Sequence, residues 1–258
     1  MPPVRTPPAP RRPPAIPRVR ILPRPPEPGE NVQVDFQTWR QFEATHEFKQ
    51  GDHVTGIGRT GRGKTTLFAR GLLHHYPYVL YLGTKEDDPS AYPWLLRRGY
   101  KMTSDPRLDY RKAPRVIYRP GPFGISKRDK EIQAERFAAV LAVAYAQRRW
   151  AIYADEVAYL DEIGVAVELE AIWRTGRGRK ITMLAASQNP VSIPRVAFDQ
   201  VSHLFFWRQT EAERVRRMGE MAGDAAPVVR EAIRRLPLYE ALYVDTSTDE
   251  LMRTRYSM

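Results

Sequence analysis

The 258 residues contain no cysteine, which excludes disulfide bonds and thiolate metal centres. Long apolar runs are also missing. The longest, residues 137–146, is alanine-rich and falls well short of the roughly 18 residues of a membrane span, so it reads as a buried helix. The first residues carry arginine but no apolar segment of a secretory leader, and the expected location is the cytoplasm of a host cell or a virion. Histidine is scarce, with five in all. His46, His74 and His75 stand at no metal-ligand spacing from other histidines or carboxylates and read as structural. Acidic residues are in the minority, 30 against 41 Lys and Arg, giving a net charge of +11 and a pI near 9.9. That balance favours a polyanionic partner, nucleic acid before anionic membrane.

Proline is unevenly spread: residues 1–30 hold 12 of the 23, interleaved with Arg5, Arg11, Arg12, Arg18, Arg20 and Arg24. Proline fixes φ and lacks a donor, so this stretch is expected to be an extended or disordered tail, either a docking arm for a protein or nucleic-acid partner or a plain solvated leader. Residues 31–258 are expected to form one domain. Within it, apolar strand patterns at 53–57, 78–82, 115–118, 151–154, 181–186 and 204–207 alternate with helical patterns at 64–75, 126–150, 165–174, 211–221 and 227–235. Residues 238–244 and 250–256 finish as a hairpin. Such alternation implies an α/β fold, a mostly parallel sheet with helices on both faces and a C-terminal β-hairpin.

Three motifs sit at the carboxyl ends of these strands. Gly58-Arg59-Thr60-Gly61-Arg62-Gly63-Lys64-Thr65 satisfies G-x-x-x-x-G-K-[ST], between a strand and a helix. In this loop main-chain N–H groups turn inward onto phosphate oxygens, aided by the helix dipole. Lys64 is expected to reach the β and γ phosphates of ATP, Thr65 to ligate Mg²⁺, and Thr66 to lie near the α phosphate. Asp155 and Glu156 close the strand at 151–154, Asp155 as a metal ligand and Glu156 as the base for an attacking water. Gln188, at the end of the strand at 181–186, can hydrogen-bond the γ phosphate or that water.

The segments GRTGRGKT at 58–65, YLGTKEDD at 81–88, IYADE at 152–156 and GRGRKITMLAASQNP at 176–190 resemble the FtsK–HerA superfamily of P-loop ATPases, which includes viral genome-packaging motors. In that family an arginine-bearing helix leads into an apolar strand ending in T/S-Q, and Arg177 stands eleven positions before Gln188. At 81–88 the family's D-P-K is altered, with Gly83 and Thr84 replacing the Asp and Pro, which leaves Lys85 without an assigned role. The resemblance implies a RecA-like core with an additional strand (the ASCE class), a homo-oligomeric ring, most often a hexamer, and an arginine acting in trans on a neighbour's γ phosphate. Arg177 is first choice for that finger, with Arg174 and Arg179 beside it.

The resulting expectation is an ATP-hydrolysing translocase of double-stranded DNA, of packaging or mobile-element type. Candidate DNA contacts are Lys101, Arg107, Arg111, Lys112 and Arg115, and the loop at 126–130. Two alternatives stay open: a non-motor ATPase switch in a secretion or virion-assembly complex, and a P-loop kinase.

Overall fold

A computed structural model describes residues 33–256; the Pro/Arg-rich stretch at 1–30 lies outside them. Ten strands form one sheet: β1 (Phe36–Thr38), β2 (His53–Ile57), β3 (Val79–Leu82), β4 (Lys101–Thr103), β5 (Arg115–Tyr118), β6 (Ala151–Ala154), β7 (Thr182–Ser187), β8 (Val201–Trp207), β9 (Ala241–Asp245) and β10 (Glu250–Arg255). Their order is β1-β10-β9-β8-β2-β7-β6-β3-β5-β4. From β8 to β4 every pairing is parallel. β9 and β10 add the antiparallel hairpin, and β1 pairs in parallel with β10. β7 separates the strand of the glycine-rich loop, β2, from the strand of Asp155, β6, which is the additional-strand arrangement anticipated from the sequence.

The central strands β2, β3, β6 and β7 are buried along their whole length, because helices cover both faces. On one face Trp39 and Phe42, Leu67, Phe68, Leu72 and Leu73, and Tyr92 and Leu95 form one cluster. On the other, Phe137, Val140, Leu141 and Ala144 of the helix Lys127–Gln147 pack with Leu169, Ile172, Trp173, Val215 and Val229. Leu67, Phe68, Leu72 and Leu73, which follow the glycine-rich loop, are at most 2% exposed.

Many boundaries differ from the sequence reading by one to three residues, among them the strand expected at 204–207, which starts at Val201. The helix expected at 64–75 is an α turn (Lys64–Thr66), a π-helical run (Leu67–Leu72) and a 3₁₀ turn (Leu73–His75). A Cβ at Gly71 would lie 2.9 Å from the Trp39 indole and 3.0 Å from the Tyr256 ring, so the chain passes closer to its neighbours there than a side chain permits. The helix expected at 126–150 stops at Gln147, since Arg148 and Arg149 both take left-handed backbone, φ 65° and 63°. The strand expected at 181–186 runs one residue later, which brings Ser187 into the sheet opposite Ile57. Short elements that the pattern reading passed over include β1, the helix Trp39–Thr45, the helix Tyr92–Arg97 and the edge strand β4.

Candidate functional site

In a parallel sheet all strands deliver their carboxyl ends to one edge, and ligands of open α/β sheets gather there. Four adjacent strands do so here: β2 delivers the glycine-rich loop, β7 Ser187 and Gln188, β6 Asp155 and Glu156, and β3 the segment containing Lys85. Registers Ile57↔Ser187, Ala154↔Ala185 and Leu82↔Ala154 bring these ends nearly level.

The loop curls as its sequence requires. Gly61 and Gly63 have φ of 74° and 95°, conformations that residues with a Cβ rarely adopt, and Gly63 leads into the helical turn Lys64–Thr66. Lys64 folds back into the loop, its Nζ donating to the carbonyls of Gly58 (2.5 Å) and Arg59 (3.1 Å). Burial lowers the Lys64 pKa, opposed by Asp155 and Glu156. Arg59, Thr60 and Gly61 form the exposed crest; Arg62, Gly63, Thr65 and Thr66 are partly buried. Thr60 Oγ1 donates to Gln188 Oε1 at 2.6 Å, and the Gly58 amide donates to the Ser187 carbonyl at 3.1 Å. The loop is thus fastened to the end of β7 by one side-chain and one main-chain bond.

The two carboxylates have different surroundings. Asp155 Oδ1 accepts from Thr65 Oγ1 (2.7 Å) and Tyr153 OH (2.6 Å), while Oδ2 accepts from Lys85 Nζ (2.8 Å). Burial works to raise its pKa, but the Lys85 ammonium and these hydrogen bonds outweigh it and hold the carboxyl below the ordinary range. Glu156 goes the other way. Burial raises it, reinforced by the Asp155 charge, and the bond from Ser187 Oγ to its Oε1 (2.8 Å), Lys64 and the Gln188 main chain only partly counter this. An anionic aspartate beside a threonine hydroxyl is an oxygen pair suited to a hard cation such as Mg²⁺. A glutamate with a raised pKa is suited to accept a proton from water.

The structure brings together the glycine-rich loop, Thr65, Asp155, Glu156 and Gln188. Arg177 is not among them. It precedes β7, at the opposite edge of the sheet, and pairs there with Asp52 (3.6 Å) and Ser202 Oγ (2.9 Å). Six residues of strand put it about 20 Å from Gln188, so it does not serve this site in its own chain. Lys101 and Arg115 open their strands at the same far edge, whereas 126–130 follow β5 on the phosphate-loop side; the two candidate DNA segments therefore do not share one surface.

Sequence reasoning missed Lys85, Tyr153 and Ser187. The lysine was left without a role, yet its pKa is raised because Asp155 outweighs burial. The alternation of strands was a usable signal for Tyr153, which stands two residues before Asp155 and on the same face.

No protein-family model matches the chain, and no curated protein matches it. Its architecture does have counterparts among solved structures. The genome-packaging NTPase B204 of Sulfolobus turreted icosahedral virus 2, in complex with AMP, superposes with a TM-score of 0.59 at 13% identity, over 82% of this chain and 100% of that one. VirB4 of Thermoanaerobacter pseudethanolicus gives 0.60 at 10% identity, over 80% and 89%. The pCW3 conjugation coupling protein TcpA, with ATPγS, gives 0.51 at 13% identity, over 91% and 70%. At these identities the likeness is one of fold, a mostly parallel P-loop ATPase sheet with helices on both faces and a C-terminal antiparallel hairpin. Among the described residues no helix is long and apolar enough to cross a membrane.

Proposed function

We propose that this chain hydrolyses ATP and couples turnover to movement of double-stranded DNA, as a ring of identical copies, six in the commonest arrangement of this fold. The observation that carries the ATPase reading is the meeting of a fastened phosphate loop with two carboxylates whose acidities have moved apart. ATP fits the curled loop, with Lys64 released from the Gly58 and Arg59 carbonyls to meet phosphate oxygens. Mg²⁺ fits Thr65 and Asp155, where it would neutralise phosphate charge. Glu156 takes a proton from water as that water's oxygen bonds to the γ phosphorus and the bond to ADP breaks, leaving ADP and inorganic phosphate. Gln188, tied to Thr60, relays the state of the γ phosphate to β7.

The DNA-moving part draws on the fold neighbours, a genome-packaging NTPase and a conjugation coupling protein, and on the +11 net charge. Arg111, Lys112, Arg115, Arg148, Arg149, Arg177, Arg179 and Lys180 all precede or open strands at the edge away from the phosphate loop. That basic rim is available to a DNA backbone or to the nucleotide of a neighbouring copy. The test is ATPase rate with and without duplex DNA. Phosphate release is expected to rise with DNA and the stimulation to fade with salt, while Glu156→Gln binds ATP without turnover. Turnover retained in Glu156→Gln would overturn the base, and phosphate appearing on an acceptor instead of in solution would establish a kinase.

A further inference from the structure

Away from the phosphate site, one group of three metal-ligating side chains gathers among the described residues: Glu43, His74 and His75, whose ligand atoms all lie within 4.8 Å of one another. Glu43 comes from the helix Trp39–Thr45, and the two histidines end the 3₁₀ turn that closes the phosphate-loop helix. Sequence reading saw no ligand spacing here, because the carboxylate lies 31 positions upstream and only tertiary packing brings it near.

The approach of these groups is close but poorly aligned. Glu43 Oε1 lies 2.8 Å from His74 Nε2 and 3.1 Å from His75 Nε2. Yet Glu43 Oε1 and His75 Nε2 are both shielded from solvent and lack a hydrogen bond of acceptable geometry. The His75 ring is engaged by the Gly71 carbonyl as well as by Glu43, so a proton or a metal cation is what holds its Nε2 beside the carboxylate oxygen. A main-chain carbonyl accepting the far ring N–H is also how ligating histidines are commonly oriented. With metal–ligand bonds of about 2.0–2.2 Å, tetrahedral geometry sets ligand atoms roughly 3.3 Å apart; the two carboxylate–imidazole separations are close to that, and all three ligand atoms lie within 4.8 Å of one another. His74 is about half exposed (47%), so solvent reaches the group and can fill a fourth position.

We infer that Glu43, His74 and His75 form a binding site for one divalent transition-metal ion of the zinc class, which staples the helix Trp39–Thr45 to the end of the phosphate-loop helix. Two imidazoles and one carboxylate select Zn²⁺ or its neighbours over Mg²⁺, which prefers oxygen donors alone. The site is separate from Thr65 and Asp155, so it forms without nucleotide.

The experiment uses the full chain, stripped with chelator and free of nucleotide, titrated with Zn²⁺ by calorimetry and with Co²⁺ by visible absorption. One equivalent of metal and a tetrahedral Co²⁺ spectrum are expected. His74→Ala and Glu43→Gln are each expected to weaken binding at least about tenfold, with circular dichroism unchanged. Asp155→Asn is expected to bind as tightly as the unmodified chain. Absence of stoichiometric metal, binding that survives both substitutions at full affinity, or binding lost in Asp155→Asn would each overturn the site.

Discussion

Ser187→Ala removes one hydroxyl and tests the assignment of Glu156 as base. Ser187 Oγ donates to Glu156 Oε1 at 2.8 Å and is the foremost influence opposing the rise that burial imposes on that carboxyl. A hydrogen bond to a charged group is worth about 1.5–3 kcal/mol. Glu156 is only partly buried, so water replaces some of the loss and the lower end applies. Removing the bond destabilises the ionised form, and the pKa rises further. On the acid side of the pH profile, kcat/KM follows the ionised fraction of the base. About 1.4 kcal/mol is a factor of ten, so at a fixed pH below the limb the variant is expected to run roughly tenfold slower. On the alkaline plateau it is expected to match the unmodified chain. Phosphate release over a pH series, with magnesium and ATP saturating and then limiting, gives both readings. A uniform loss at every pH would mean that Ser187 acts by holding the phosphate loop, and an unmoved acid limb would mean that Glu156 is not the group whose ionisation governs turnover.

The remaining expectations concern neighbouring features of the fold. His53, 1% exposed, accepts from the Met183 amide at Nδ1 and donates to the Trp173 carbonyl, and burial lowers its pKa from 6.5 to about 4. Between those values the unfolded chain binds the proton and the folded chain does not, so stability falls as pH drops from 6.5 to 4, by about 3 kcal/mol from this group. Urea melts across that window should show the slope, and His53→Gln should flatten it. Lys85→Met strips Asp155 of its cation. Breaking a buried pair costs about 3–5 kcal/mol, but Lys85 is 52% exposed, so screening reduces the expected loss to about 1–2 kcal/mol; an unchanged melting midpoint would refute the pairing. Arg177→Ala and Lys64→Ala should each abolish turnover alone, whereas an equimolar mixture should recover part of it if Arg177 serves a neighbour's phosphate. No recovery in mixed assemblies would remove Arg177 from that role.

The parts of the molecule legible in the sequence are those where one local rule dominates. Strands at 53–57 and 151–154 were placed to the residue, because short apolar runs bounded by a glycine loop and an acidic pair leave little freedom. The helix Trp39–Thr45 carried a readable signal that was passed over: Thr38 and Gln41 form a capping box, each side chain bonding the other's main chain. Lys85 and Asp155 are 70 positions apart, and only the pairing of β3 with β6 makes them partners. The cluster of Glu43 with His74 and His75 is of the same kind. Contacts between elements depend on sheet order and on which face a helix covers, and periodicity fixes neither.

The order Asp-Glu at 155–156 follows from the pleat of β6. Side chains alternate along a strand, so Asp155 shares the face of Tyr153, whose ring stacks on Phe68 of the phosphate-loop helix at 5.2 Å. That face brings Asp155 to Thr65, on the same helix, and to Lys85, after β3. Glu156, one residue on, turns towards the next strand of the sheet and meets Ser187 at the end of β7. Exchanging the two would set the longer carboxylate into the crowded pocket of Tyr153, Thr65 and Lys85 and leave the shorter one short of Ser187. One strand thus presents two acids to a single cleft and shifts their acidities in opposite directions, the first held below the ordinary range by its donors and the second raised by burial. Such a separation within a cleft is the ground on which we propose Asp155 as metal ligand and Glu156 as base, and here it arises from adjacent positions because the strands on either side of β6 differ in what they deliver.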